Sequence, residues 1–226
     1  MKVKADIGDF EDVVFVPASR FHEGRMEDPW VIVIHYTAGG SLESTVRYFA
    51  GSDVHASAHF VVGREGMEGV KGVEEIWDWD WVDWGGVDSE RRAGMYNGVV
   101  QMVRLSDMAF HAGRSSWKGK QRVNKFSIGI EICNWGPLKE RGGDLYTWAG
   151  SRFYGDVYED EKGGKWEAFT DFQYEMVAVL VSRIMEKYGI ELENVVGHCD
   201  VAPHRKIDPG PAWDWKRFRD LVKKLV

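Results

Sequence analysis

The chain predicts a single α/β domain: a central mixed β-sheet flanked by helices. Three observations lead there. Short apolar runs alternate with longer stretches of helical period along the chain, which is the pattern of a sheet with helices packed on it. The residues able to do chemistry fall at the ends of the apolar runs and in the loops that follow, where such sheets place their sites. At 226 residues, one domain spanning 1–226 is the default, with two longer excursions at about 67–98 and 136–167.

The elements follow in order. Residues 1–29 read as an irregular opening segment. Val31 to Tyr36 is a continuous apolar run containing His35, as expected of a buried central strand. Thr37 to Gly40 is a turn, and Ser41 can cap a helix from Leu42 to Ala50. Ala58 to Val62 is a second buried strand, with 63–66 as its hairpin turn. Glu75 to Trp81 alternates apolar and acidic residues, a strand period, and Gly85-Gly86 breaks it. Strands are expected at Val99 to Val103 and at Ser127 to Cys133. The stretch 136–167 reads as a long ordered loop, a length often tied to function. Thr170-Asp171-Phe172-Gln173 is a capping-box pattern that opens a helix from Asp171 to Tyr188, with Phe172, Met176, Val179, Leu180 and Ile184 at helical spacing and Gly189 ending it. Val195-Val196 is a short strand. A final amphipathic helix runs from Trp215 to Leu225, capped by Asp214, with its lysines and arginines on a solvated face.

Composition narrows the function. The net charge of −7 argues against a nucleic-acid partner and against electrostatic adhesion to an anionic surface. No apolar run reaches the ~18 residues of a transmembrane helix, and the first residues lack the apolar stretch of a signal peptide, so a cytoplasmic, monomeric protein without a membrane partner is expected. Two cysteines, Cys133 and Cys199, are too few for a disulfide scaffold and read as reduced thiols. The 11 tryptophans suit stacking on sugar or peptide, and equally suit core filling.

The densest chemistry lies in the segment from Gly197 to Pro211. It holds His198, Lys206 and Asp208 within a few residues of one another. Taken singly, His35 is a core histidine, His198 a surface residue at a strand end, and Asp208 a turn-former before Pro209-Gly210. Together they are two imidazoles and a carboxylate, the three-ligand plan of a catalytic zinc site with one position open. Cys199 directly follows a ligand, but neighbours in an extended segment point opposite ways, so it is not counted. Glu131 interrupts an otherwise apolar strand, which is costly unless the carboxylate is paired or functional. Beside a metal it fits a general base; the alternative is a partner in a core ion pair. Lys206 fits a cation that stabilises an oxyanion, or a plain surface lysine.

Several blocks carry a resemblance. They are Val33-Ile34-His35-Tyr36-Thr37-Ala38, Ser57-Ala58-His59-Phe60-Val61-Val62, Phe110-His111-Ala112-Gly113-Arg114, Asn124 to Glu131, Phe169 to Gln173, and the His198 to Pro211 motif. In this order they resemble the type 2 family of zinc-dependent N-acetylmuramoyl-L-alanine amidases. That family takes in cytosolic anhydro-muropeptide amidases, phage lytic enzymes and peptidoglycan recognition proteins. The resemblance implies Zn2+ held by His35, His198 and Asp208 in a cleft at strand ends, Glu131 as general base and Lys206 as oxyanion stabiliser. It implies hydrolysis of the amide between the lactyl group of N-acetylmuramic acid and L-alanine, in peptidoglycan or in muropeptides. Tyr48, His59, His111 and Arg114 fall where the family places substrate or supporting contacts. A non-catalytic peptidoglycan-binding module and an unrelated zinc hydrolase are the competing readings.

Overall fold

The structure is a computed structural model that describes residues 2–24, 27–64, 79–85, 87 and 98–226. Seven strands form the main sheet: β1 (Asp6–Ile7), β2 (Val14–Phe15), β3 (Val31–Tyr36), β4 (Phe60–Val62), β5 (Val99–Gln101), β6 (Ser127–Ile132) and β7 (Val195–Gly197). Their order across the sheet is β7-β3-β6-β4-β5-β2-β1. The first four run parallel, β5 runs antiparallel to β4, β2 is parallel to β5, and β1 is antiparallel to β2. The sheet is therefore mixed, as expected. Part of the segment expected to be irregular supplies its outer edge, because Val14 and Phe15 pair with Val100 and Gln101.

Among the described residues the α-helices are α1 (Leu42–Ala50), α2 (Asp171–Tyr188), the single turn α3 (His198–Val201) and α4 (Trp215–Val222). The expected caps form. The Ser41 hydroxyl accepts from the Ser44 amide at 3.2 Å, and Thr170 and Gln173 cap each other reciprocally. Gly189 ends α2 at φ +65°, a left-handed turn that glycine adopts without strain. Helix α4 stops at Val222 rather than Leu225.

One face of the sheet is mainly apolar. Ile32 and Ile34 of β3, Ile128, Ile130 and Ile132 of β6 and Phe60 of β4 meet Tyr174, Val177, Val181 and Ile184 of α2 and Phe218 of α4. The buried side of α2 is thus rotated away from Phe172, Met176 and Val179, which are only half-buried. Val177 to Val181 is apolar at five successive positions, so periodicity alone could not choose the face.

Three further expectations are revised. Strand β4 finds its antiparallel partner at Val99–Gln101, not across a turn at 63–66, and residues 65–66 lie outside the described set. The alternating strand at 75–81 lies partly outside it too. Of the rest, Trp79 stacks on Trp81 with centroids 5.3 Å apart, and the strand is Val82–Asp83, paired with Val3–Lys4. Trp79 and Trp84 are buried, so those two tryptophans are core. The stretch 136–167 is not structureless: it folds into two hairpins, Lys139–Arg141 with Asp144–Tyr146 and Val157–Glu159 with Lys165–Glu167. Among the described residues no helix is long and apolar enough to cross a membrane.

Candidate metal centre and active site

The other face of the sheet carries the chemistry. Parallel register places Glu131 opposite His35, and Gly197 opposite Ile34. In-register residues of parallel strands face the same way, so His35 and Glu131 project side by side at the carboxyl ends of β3 and β6. Strand β7 ends at Gly197, and the chain turns at once into α3, whose first residue is His198. This is one helical turn where an extended segment was expected. The Asp200 carboxylate holds the turn by accepting from the Gly197 amide at 2.7 Å. The Cys199 amide donates to the Asp208 carbonyl at 2.9 Å, which brings Asp208 back alongside.

The result is a tight trio. His35 Nδ1 and His198 Nδ1 lie 2.9 Å apart, and Asp208 Oδ2 lies 3.0 Å from the first and 2.9 Å from the second. All three residues are buried. Three donor atoms aimed at one point crowd one another unless a cation lies among them, and the His2Asp donor set is one that zinc takes. Burial lowers the His35 pKa to about 4, with Asp208 opposing and His198 adding to the fall. Burial works against the charge of Asp208, but hydrogen bonds from His198 and His35 hold its carboxyl well below the usual range. A neutral imidazole and an ionised carboxylate are the forms a metal requires.

Glu131 stands beside the trio. Its Oε2 is sealed from solvent and has no hydrogen-bond partner among the described residues. Burial pushes its pKa well up, the Asp208 charge adds to this, and Lys206 opposes it. Among the described residues, the core ion pair that would have explained a strand glutamate is not formed. Lys206 is exposed, makes no ion pair among the described residues, and is close enough for its charge to act on both Glu131 and His35. Tyr36, next in the strand, has its hydroxyl pushed up to about 12 by burial and by the Asp208 and Glu131 charges.

The weaker candidates fall elsewhere. His111 is buried behind His35, its Nδ1 3.0 Å from His35 Nε2 and its Nε2 3.0 Å from Ser127 Oγ. His59 is fully buried; its Nδ1 accepts from the Gly129 amide at 2.9 Å and its Nε2 lies 3.2 Å from the Asp107 carbonyl. Both imidazoles spend their nitrogens on the protein, so they support the site from behind rather than line it for substrate. Tyr48 stands exposed on α1 against Phe49, outside the donor trio. Arg114 is exposed, and it is its carbonyl that is engaged, by Arg205 at 3.1 Å. Cys199 stays outside the trio, as expected, with its thiol pushed up to about 11 chiefly by burial.

Sequence reasoning passed over two residues that build this face, Gly129 and Ser127. Gly129 lies under the His111 ring: a Cβ there would sit 2.4 Å from His111 Cγ. Ser127 and Arg205 bond to His111 and to the 112–114 backbone. The glycine between two isoleucines was the available signal, since a strand glycine often marks a close approach.

Comparison with known proteins adds the following. The family model described as N-acetylmuramoyl-L-alanine amidase matches residues 25–211. The chain is 29% identical over 201 residues to the 1,6-anhydro-N-acetylmuramyl-L-alanine amidase AmpD of Citrobacter freundii, covering 88% of this chain and 74% of that one. It is 37% identical over 126 residues to AmpD of Escherichia coli, where the match covers 56% of this chain and spans only about half, 53%, of the relative. Among solved structures, a selenomethionine derivative of AmpD superposes with a TM-score of 0.59 at 27% identity, covering 94% of this chain and 96% of that one. The E. coli amidase AmiD, in complex with the substrate anhydro-N-acetylmuramic acid-L-Ala-D-γ-Glu-L-Lys, gives 0.56 at 28% identity, covering 87% of this chain and 59% of that one.

Proposed function

Because this chain belongs to the N-acetylmuramoyl-L-alanine amidase family, we propose that it hydrolyses the amide joining the lactyl group of N-acetylmuramic acid to L-alanine, with zinc held by His35, His198 and Asp208. The observation that carries the reading is the convergence of three buried donor atoms beside a carboxylate oxygen that lacks a partner. Bound by these three residues, zinc would supply Lewis acidity and activate a water.

The chain's own residues supply the rest. Glu131, its pKa raised by burial, is a base strong enough to take a proton from the attacking water at its unpartnered Oε2. The same oxygen then returns that proton to the departing amine nitrogen of L-alanine. Lys206, whose ammonium forms no ion pair among the described residues and whose charge reaches Glu131, would donate to the oxygen on which negative charge develops. The neighbouring Asp208 carboxylate repels charge on Glu131 and so favours its protonated form between the two transfers.

A muropeptide is the substrate that the relatives' names support. We further assign a monomer acting without nucleic acid or membrane, in line with the net charge of −7. The test is mass-spectrometric cleavage of a defined 1,6-anhydro-muropeptide, run beside intact peptidoglycan. Release of the free stem peptide, lost with a chelator and restored by zinc, is expected. A folded, zinc-loaded protein that cleaves neither substrate would refute the amidase assignment and leave a binding module.

A further inference from the structure

The stretch 136–167 carries aromatic side chains on the outside of the molecule: Trp148, Tyr154 and Tyr158 are all exposed. Trp148 is the largest of them, and it is not loose. Its indole N–H donates to the Ala38 carbonyl at 2.6 Å. It meets Trp135 in an edge-to-face arrangement, with ring centroids 6.5 Å apart. Trp135 in turn lies close on the backbone of the same loop, since a Cβ at Gly40 would sit 2.6 Å from Trp135 Cζ2. Ala38 holds φ +52°, a left-handed conformation that strains a residue with a side chain and clusters at functional sites.

This pair of rings sits past the carboxyl ends of the two strands that present the site. Ala38 is three residues beyond His35 in the chain, hence within about 11 Å of it. Trp135 is four residues beyond Glu131. The foot of the excursion is fixed to the same place. The buried Glu167 accepts from Arg64 Nε at 2.7 Å and from the Trp135 amide at 2.5 Å. Gly136 lies against Tyr36, and Trp166 lies against Gly210, two residues beyond Asp208. The excursion therefore touches the chain just past the first ligand and just past the third, and stands as a wall beside the donor trio.

A ring fixed in this way has one thing left to offer a ligand. Its only donor is spent on Ala38, so what remains is the indole face, flat, apolar and electron-rich. A negative face repels carboxylates, which the stem peptide of a muropeptide carries. It attracts polarised C–H groups, such as those on one side of a pyranose ring. We propose that Trp148 is a specificity-determining residue that stacks on the saccharide part of the substrate, with Trp135 and the Ala38 carbonyl holding its ring in place. The inference rests on the amidase reading above and extends it to sugar recognition: muropeptides that carry the sugar are favoured over lactyl peptides that lack it.

Two measurements test it. In wild-type protein, a peptide-free disaccharide of N-acetylglucosamine and N-acetylmuramic acid, titrated at millimolar concentration, should shift the Trp148 indole N–H resonance in nitrogen-15 NMR. That signal is assigned by its loss in Trp148→Phe, and an unmoved resonance would overturn the proposal. Turnover of a disaccharide-bearing muropeptide is then compared with turnover of the same peptide carrying only a lactyl group. Wild type should prefer the sugar-bearing substrate in kcat/KM. Trp148→Ala should lower that preference about 2–10-fold, the scale of one aromatic contact, chiefly through a higher KM. Trp148→Phe, which keeps a ring, should retain more of the preference than the alanine variant. A preference unchanged in Trp148→Ala, or both substrates weakened equally, would show that Trp148 only packs the loop. A wild-type protein that cleaves neither substrate would instead sink the amidase reading, while the titration would still report on the sugar contact.

Discussion

Strand β6 divides its residues between two unlike faces. Ile128, Ile130 and Ile132 enter the helix-covered core, while Ser127, Gly129 and Glu131 face the histidines on the other side. Strand β3 does the same, with Ile32 and Ile34 on one side and His35 on the other. The helix face is held by shape and by exclusion of water, which degrade by degrees as volume is removed. The other face also buries apolar side chains, Val31, Val33 and Val61 among them, but at its site end it adds hydrogen bonds between buried polar groups, where one missing partner leaves another group unsatisfied. If the division is real, substitutions on the two faces should separate into those that change chemistry and those that change stability.

The largest separation should come from adjacent residues. Glu131→Gln should lower turnover by about 10²–10⁴-fold, the range that general acid–base catalysis contributes. It should leave zinc content and unfolding midpoint close to wild type. Ile130→Ala, one residue earlier, should do the reverse. Its side chain is fully buried among Phe60 and the α2 residues, so truncation should cost about 2–5 kcal/mol in denaturant unfolding. Zinc affinity, and turnover measured where the variant is still folded, should hold. The comparison breaks if Glu131→Gln unfolds the protein or if Ile130→Ala releases zinc.

Acid should distinguish the faces next. In the metal-free protein the His35 pKa is held near 4, against about 6.5 when unfolded. The unfolded chain therefore binds the proton first. The stability is intact above about pH 6.5, falls as pH drops through the window, and levels off below about pH 4, a loss of about 3 kcal/mol. Asp208, held below its usual range, extends the loss in the same direction at still lower pH. Urea unfolding in chelator at several pH values between 7.5 and 4 would read this. Ile130→Ala should lower the whole curve without changing its slope, whereas a variant lacking the His35 imidazole should flatten it. A flat wild-type curve would contradict the electrostatic account of the site.

The two faces were also unequally legible in the sequence. The apolar strands, the caps at Ser41 and Thr170, and the His35, His198 and Asp208 grouping could be read from local pattern. Each is a chemical signal carried within a few residues, or by a motif with fixed spacing. The placement of His111 and Ser127 behind His35 could not, because it depends on contacts across β6 that the register creates. His59 and His111 stayed open between supporting and substrate contacts for the same reason: a histidine letter does not say which way its nitrogens are spent. The hairpins within 136–167 were hidden because their strands are only three residues long, each pairing an exposed strand with a half-buried one, so no apolar alternation marks them.

The smallest expected effect tests how far the helix face is insulated from the site. Thr170 does two things at the start of α2. Its hydroxyl accepts from the Gln173 amide at 3.2 Å and donates to the Arg64 carbonyl at 2.7 Å. Arg64 is itself paired with the buried Glu167, which accepts from the Trp135 amide four residues beyond Glu131. Thr170→Ala should cost about 1 kcal/mol of stability, the usual worth of a lost cap, and Thr170→Ser should restore it by keeping both bonds. Turnover and zinc affinity should be unchanged in both. A fall in turnover in Thr170→Ala, recovered in Thr170→Ser, would mean that the path through Arg64 and Glu167 reaches Glu131, and that the sheet does not fully separate the face that holds the fold from the face that performs the reaction.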